Sequence, residues 1–340
     1  MFFQTDHTKE LILNISPASK VLVSEVGPRD GLQSIKTVMP TAAKFRWISA
    51  LAAAGLQEIE VGSFVAAKLL PQMADIREVV AHALTIPGLH VAVLAPNLRG
   101  SQGAFEAGVH KVTLPVSVTN EHSMANIRKT TAQMIEEVRE VVALRNAQFP
   151  GVQIEAGVSV AFGCTIAGAV SGDQTIRMCL AMAECGVDEV GLSDTSGYAN
   201  PTQVRRLFRR LKSELGSKAG GAHFHNTRGQ GLANVVAALE AGVTTIDASQ
   251  AGLGGCPYAP GATGNIVTED LAFLLEAMGY DTGIDIDALI AARAILAGAL
   301  PGEALYGHVQ DAGLPRGFSY ADGRTPSATQ PEGCLKGVTQ

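Results

Sequence analysis

What this chain lacks narrows the field first. No apolar run in its 340 residues approaches the roughly 20 that span a bilayer, so a membrane-spanning helix is not expected. The opening MFFQTDHTKE has neither the basic flank nor the long apolar stretch of a secretory signal, and the expected compartment is the cytoplasm. Cysteine is scarce: Cys164, Cys179, Cys185, Cys256 and Cys334 are an odd number without CxxC spacing, which argues against a disulfide framework and against a structural zinc site. Only 17% of residues are charged, the net charge is −6, and there is no basic run, so nucleic acid and anionic membrane are poor candidates as partners. A small-molecule substrate remains.

What is present is a rich supply of apolar residues, 46% of the chain, with 37 glycines, as expected of a soluble α/β protein with a substantial core. Eight short apolar or β-branched runs recur: VLVSEV (21–26), EIEV (58–61), HVAVL (90–94), KVTLPV (111–116), VQIEAGV (152–158), DEVGL (188–192), GAHFH (221–225) and TTIDAS (244–249). Segments with apolar residues at three- and four-residue spacing separate them, several closed by glycine. Strand then helix, eight times, predicts a closed (β/α)₈ TIM barrel rather than an open sheet. A single catalytic domain over 1–300 is expected, its barrel core at about 20–280, with an N-terminal extension, an added helix at 286–300 and an irregular tail over 301–340.

Active sites of such barrels lie at the C-terminal ends of the strands. Arg29 and Asp30 follow the first run within EVGPRDGLQ, which also carries Gln33. Glu60 ends the second, Asn97 follows the third, Asp194 ends the sixth, and His223 and His225 end the seventh. Residues two apart in a strand face the same way, so both imidazoles can reach one cation. With a carboxylate available, an oxygen-rich donor set favours Mg²⁺ or Mn²⁺ over tightly held zinc. The Gly-Pro-flanked turn would hold Asp30 towards that ion and Arg29 over a developing oxyanion. After the eighth run, GLGGCPYAPGATGN packs five glycines and two prolines into fourteen residues around Cys256, the composition of a lid that carries an acid or nucleophile. Its glycines do not follow a strand in GxGxxG spacing, so no dinucleotide site is read there.

Taken together, EVGPRDGLQ, IEVGSFV, PQMAD, APNLRG, DTSGYANP, HFHNTRGQGLAN and AGLGGCPYAPGATGN resemble, in order, segments of the 3-hydroxy-3-methylglutaryl-CoA (HMG-CoA) lyases, a branch of the wider barrel superfamily of metal-dependent lyases and Claisen-condensing enzymes. The resemblance implies that Asp30, His223, His225 and Asn265 bind a divalent cation, that Arg29 stabilises an enolate oxygen, that Cys256 acts in proton transfer, and that Glu60 and Asp194 position or assist the reacting groups. His223 or Asp30 would take the substrate's hydroxyl proton; Arg29, Gln33 and Asn97 are the expected substrate contacts. The implied partner is an acyl-CoA, and a homodimer is the expected assembly. Departures from the family pattern fall at Thr119 and Asn120, at Thr165, Ile166 and Ala167, and at Asn226 and Arg228. They leave open a related substrate such as citramalyl-CoA or a longer branched 3-hydroxyacyl-CoA. A condensing synthase or aldolase, and a non-catalytic acyl-CoA-binding barrel, are the competing readings.

Overall fold

Each strand of this protein has two unlike faces, and the fold follows from that. In the fifth, Ile154, Ala156 and Val158 are wholly buried under the surrounding helices, while Glu155, Gly157 and Ser159 look inward. Burying one such face on helices and turning the other towards a common axis is solved by closing the sheet on itself. The computed structural model, which describes residues 19–254 and 264–326, shows this closure. Its eight parallel strands are β1 (Leu22–Glu25), β2 (Glu58–Ser63), β3 (His90–Leu94), β4 (Lys111–Ser117), β5 (Gln153–Ser159), β6 (Glu189–Asp194), β7 (Ala219–Phe224) and β8 (Thr245–Ala248). They pair in sequence order, and β1 closes on β8 with Ser24 opposite Asp247.

Local signals set the helices that cover the barrel. Thr130 with Gln133, Ser171 with Gln174, and Asn200 with Gln203 each form a reciprocal capping box, satisfying N–H groups that a helix start leaves without partners. The (β/α)₈ expectation therefore holds, and the helix expected at 286–300 spans Ile286–Ala299. The stretch after residue 300 is irregular but tied down as far as it is described. The Tyr320 hydroxyl accepts from the backbone of Ile286, and Asp270 accepts from the backbone N–H groups of His308 and Val309. Ser19–Lys20 pairs with Tyr280–Asp281 outside the barrel. No helix among the described residues is long and apolar enough to cross a membrane.

Candidate active site

The turn after β1 is built to aim two side chains. Over Gly27–Gly31 the backbone N–H groups of Arg29, Asp30 and Gly31 all point to the carbonyl of Val26, in a tight π-type turn that is fully buried. A side chain at Gly27 would strike the Glu25 carboxylate, and one at Gly31 would press on Leu253. The glycines thus let Arg29 and Asp30 face the cavity at the C-terminal rim.

There Arg29 donates through Nη1 to Asp30 Oδ1 at 2.5 Å and through Nε to Glu60 Oε2. Burial would lower the Arg29 pKa and raise that of Asp30, but their mutual attraction, with Glu60 acting on Arg29 and the imidazoles on Asp30, wins. Arg29 is held firmly charged and the Asp30 carboxyl far below the usual range. Burial pushes Glu60 up, against the pull of Arg29.

From β7, His223 and His225 approach Asp30 Oδ2 with their Nε2 atoms, at 4.0 and 3.6 Å. The two Nε2 atoms are 3.1 Å apart. Behind His223, Nδ1 lies 3.1 Å from Asp247 Oδ2 on β8. That carboxylate fixes the Nδ1–H tautomer and turns the Nε2 lone pair inward. One ligand atom each from Asp30, His223 and His225 lies within 4.8 Å of the others, and His225 Nδ1 is buried without a hydrogen-bond partner. Basic atoms converging on a carboxylate oxygen repel one another unless a proton or a cation sits between them; this donor set fits a divalent ion.

Other expected residues are placed more unevenly. Asn265 reaches the cluster, but its Nδ2 faces it, donating to Asp30 Oδ2 at 2.8 Å and to the Leu253 carbonyl; ligation through Oδ1 requires the amide to turn over. Gln33 and Asn97 line the cavity, Asn97 also capping the helix at Leu98–Glu106. Asp194 is absent from the cavity lining and its two oxygens accept from the backbone of Tyr198 and Ala199; burial raises its carboxyl, against those bonds and the charge of His225 and His223 nearby. Cys256 and Cys334 lie outside the described residues.

The family departures turn out to be scaffolding where contacts are described. Thr119 caps the helix at Asn120–Ile127, and Asn120 accepts from the Thr131 backbone. Asn226 accepts from the Gly231 backbone; Arg228 stacks on Tyr198 and donates to the carbonyls of Ser196 and Gly197. Sequence reasoning overlooked Asp247, although an acid within the apolar run TTIDAS, paired in register with His223, was a visible signal.

A closed parallel barrel with convergent ligands and an arginine at the C-terminal rim defines a barrel enzyme with a candidate cation centre. Comparison with known proteins gives the family. Residues 20–296 match the HMGL-like family model. A hydroxymethylglutaryl-CoA lyase of Bacillus subtilis is 39% identical over 80% of this chain and 91% of its own length. A 3-hydroxy-3-isohexenylglutaryl-CoA/hydroxymethylglutaryl-CoA lyase of Pseudomonas aeruginosa is 42% identical over 80% and 90%. The solved structure of an HMG-CoA lyase from Acinetobacter baumannii, with coenzyme A and 3-methylmalate, superposes with a TM-score of 0.82 at 38% identity, covering 86% of this chain and 95% of that one. This chain belongs to the HMGL-like family and is a carbon–carbon lyase.

Proposed function

We propose that the chain cleaves a 3-hydroxyacyl-CoA by retro-aldol (Claisen-type) chemistry, with HMG-CoA giving acetyl-CoA and acetoacetate. The observation that carries this is the convergence of Asp30, His223 and His225 beside Arg29 in one cavity of about 680 Å³. The coenzyme A bound by the Acinetobacter relative supports an acyl-CoA as substrate. Asp30 and the two imidazoles, with Asn265 beside them, are the residues that would hold a divalent cation, Mg²⁺ or Mn²⁺. When bound, such an ion supplies Lewis acidity, lowering the pKa of the C3 hydroxyl and orienting the bond to be broken.

The chain's own groups do the rest. Arg29, kept charged by Asp30 and Glu60, faces the same cavity and would stabilise the negative charge that builds on the thioester oxygen of the enolate. His223, with Asp247 behind it, would hold the ion through Nε2, and the hydroxyl proton passes to the Asp30 carboxylate, the other acceptor beside the reacting group. Cys256, as a thiol, returns a proton to the acetyl enolate. The test is a panel of hydroxyacyl-CoA thioesters incubated with Mg²⁺ or with EDTA, products identified by mass. Cleavage to acetyl-CoA with Mg²⁺ and its loss with EDTA are expected; condensation of acetyl-CoA with a keto acid, and no net cleavage, would make the chain a synthase.

A further inference from the structure

Barrels of this architecture ordinarily fill their interior with layers of bulky branched side chains. Below the ion-binding cluster this one does not. The inward positions are Ser24, Ala92, Thr113, Gly157, Gly191 and Gly221, and all six line the same cavity as Asp30 and His223. Gly157 and Gly191 are direct neighbours across β5 and β6, so two adjacent strands contribute no side chain there. The active-site cavity therefore continues down the barrel axis.

Its floor is charged. Lys111 Nζ lies 2.6 Å from Glu58 Oε1 and 3.2 Å from Glu155 Oε2. Glu58 is well served, since Ser24 and His90 also bond to it. Glu155 has the longer share of the one ammonium, and its Oε1 occupies the space above Gly191 that a Cβ would take. Burial, outweighing Lys111 and helped by Asp247 and Glu58, pushes the Glu155 carboxyl up to about 7, so near neutrality it can both accept and donate.

We propose that this lumen is a subsite for a C3 substituent longer than the methyl of HMG-CoA, uncharged and ending in a hydroxyl group that hydrogen-bonds to Glu155. The inference rests on the lyase reading above. Size follows from the small inward residues. Charge selects against the alternatives: a carboxylate would meet Glu58, Glu155 and Asp247 around a single ammonium, and an ammonium would be buried against Lys111. A purely apolar end would strip water from Glu155 without replacing its hydrogen bond, which is costly in a buried site.

The experiment compares kcat/KM for three thioesters: HMG-CoA, a 3-hydroxy-3-(hydroxyalkyl)glutaryl-CoA, and the alkyl analogue of equal length. The hydroxylated thioester should exceed both others by roughly tenfold or more, as expected when a site is built to bond a hydroxyl. Glu155→Leu should invert the preference between the hydroxylated and alkyl thioesters, and Gly157→Val should lower both extended substrates relative to HMG-CoA. HMG-CoA turned over as well as or better than the hydroxylated thioester by the unaltered enzyme overturns the subsite, as do folded variants that leave the ratios unmoved. No cleavage of any of the three overturns the lyase reading instead.

Discussion

Asp247 touches neither Asp30 nor His225 among the described contacts, yet it decides what His223 can do. Without an acceptor at Nδ1 the His223 ring loses its fixed tautomer, and removal of such an outer carboxylate typically costs 10–100-fold in metal affinity. Asp247→Ala should therefore weaken Mn²⁺ binding by about that factor in a direct titration; an unaltered dissociation constant would remove Asp247 from the site. Asp194→Asn should do the opposite, lowering the melting temperature through a lost backbone bond while leaving Mn²⁺ affinity where it was. Weakened Mn²⁺ binding in that variant would restore Asp194 to the catalytic group in which the sequence placed it. Glu25 offers a test by pH. Burial raises its pKa from 4.5 to about 8, in spite of bonds from Thr268, Gln250 and Gly27. The unfolded chain releases this proton near pH 4.5 and the folded chain holds it until about 8, so unfolding releases a proton in between and stability falls as pH rises through that window. Glu25→Gln should flatten this fall in melts recorded from pH 5 to 8, by up to a few kcal/mol at the upper end. A parallel slope for the two proteins would show that Glu25 is ionised in the fold.

Between elements, the closest approach near the site is at Gly264, where a Cβ would stand 1.8 Å from the Gly252 carbonyl oxygen and 2.2 Å from that of Gly254. This contact seats Gly264 against the turn at Gln250–Gly252 that follows β8, beside Asn265 where it donates to Asp30. Gly264→Ala must push the segment outward; loss of most Mn²⁺ affinity is expected with the far-ultraviolet circular dichroism retained, and full affinity would show that Asn265 is not needed there. The strands were legible in the sequence because their outward faces are apolar runs that only a helix layer can cover, and the helices because apolar residues recur between them at three- and four-residue spacing, several closed by glycine; the capping boxes at Thr130, Ser171 and Asn200 emerge from the structure. The convergence of Asp30, His223 and His225 was legible for a similar reason: HxH on one strand and RD after another are local patterns whose parity points to one rim. The lumen was not. Whether Lys111 and Glu155 share a cavity depends on how strand tilt and register stack β2, β4 and β5, and no single segment carries that information. Nor do Asn226 and Arg228 reveal in sequence that their bonds run to the backbones of Gly231 and of the Ser196–Gly197 turn, on the wall rather than in the cavity.

Across the whole molecule, the cluster spans the seam at which the barrel closes. Asp30 follows the first strand, His223 and His225 lie on or just beyond the seventh, and Asn265 comes after the eighth, while β1 and β8 are joined by a ladder of four register pairs. An ion bound to Asp30 and the two imidazoles would thus tie the beginning of the barrel to its end, in a way no folded fragment could reproduce. A ligand held by the native state and not by the unfolded chain adds RT ln(1 + [L]/Kd), about 2.7 kcal/mol at a hundredfold excess over Kd. In a protein of this size that corresponds to a rise of a few degrees in melting temperature. Melting the EDTA-treated chain with increasing Mn²⁺ should show this rise, logarithmic in concentration, and His225→Ala should abolish most of it while leaving the metal-free melt nearly in place. The control matters because divalent ions also bind exposed carboxylates weakly. A rise of equal size in the His225→Ala variant would locate the ion elsewhere, and a flat melt for the unaltered chain at millimolar Mn²⁺ would mean that Asp30, His223 and His225 converge on a shared proton instead of a metal.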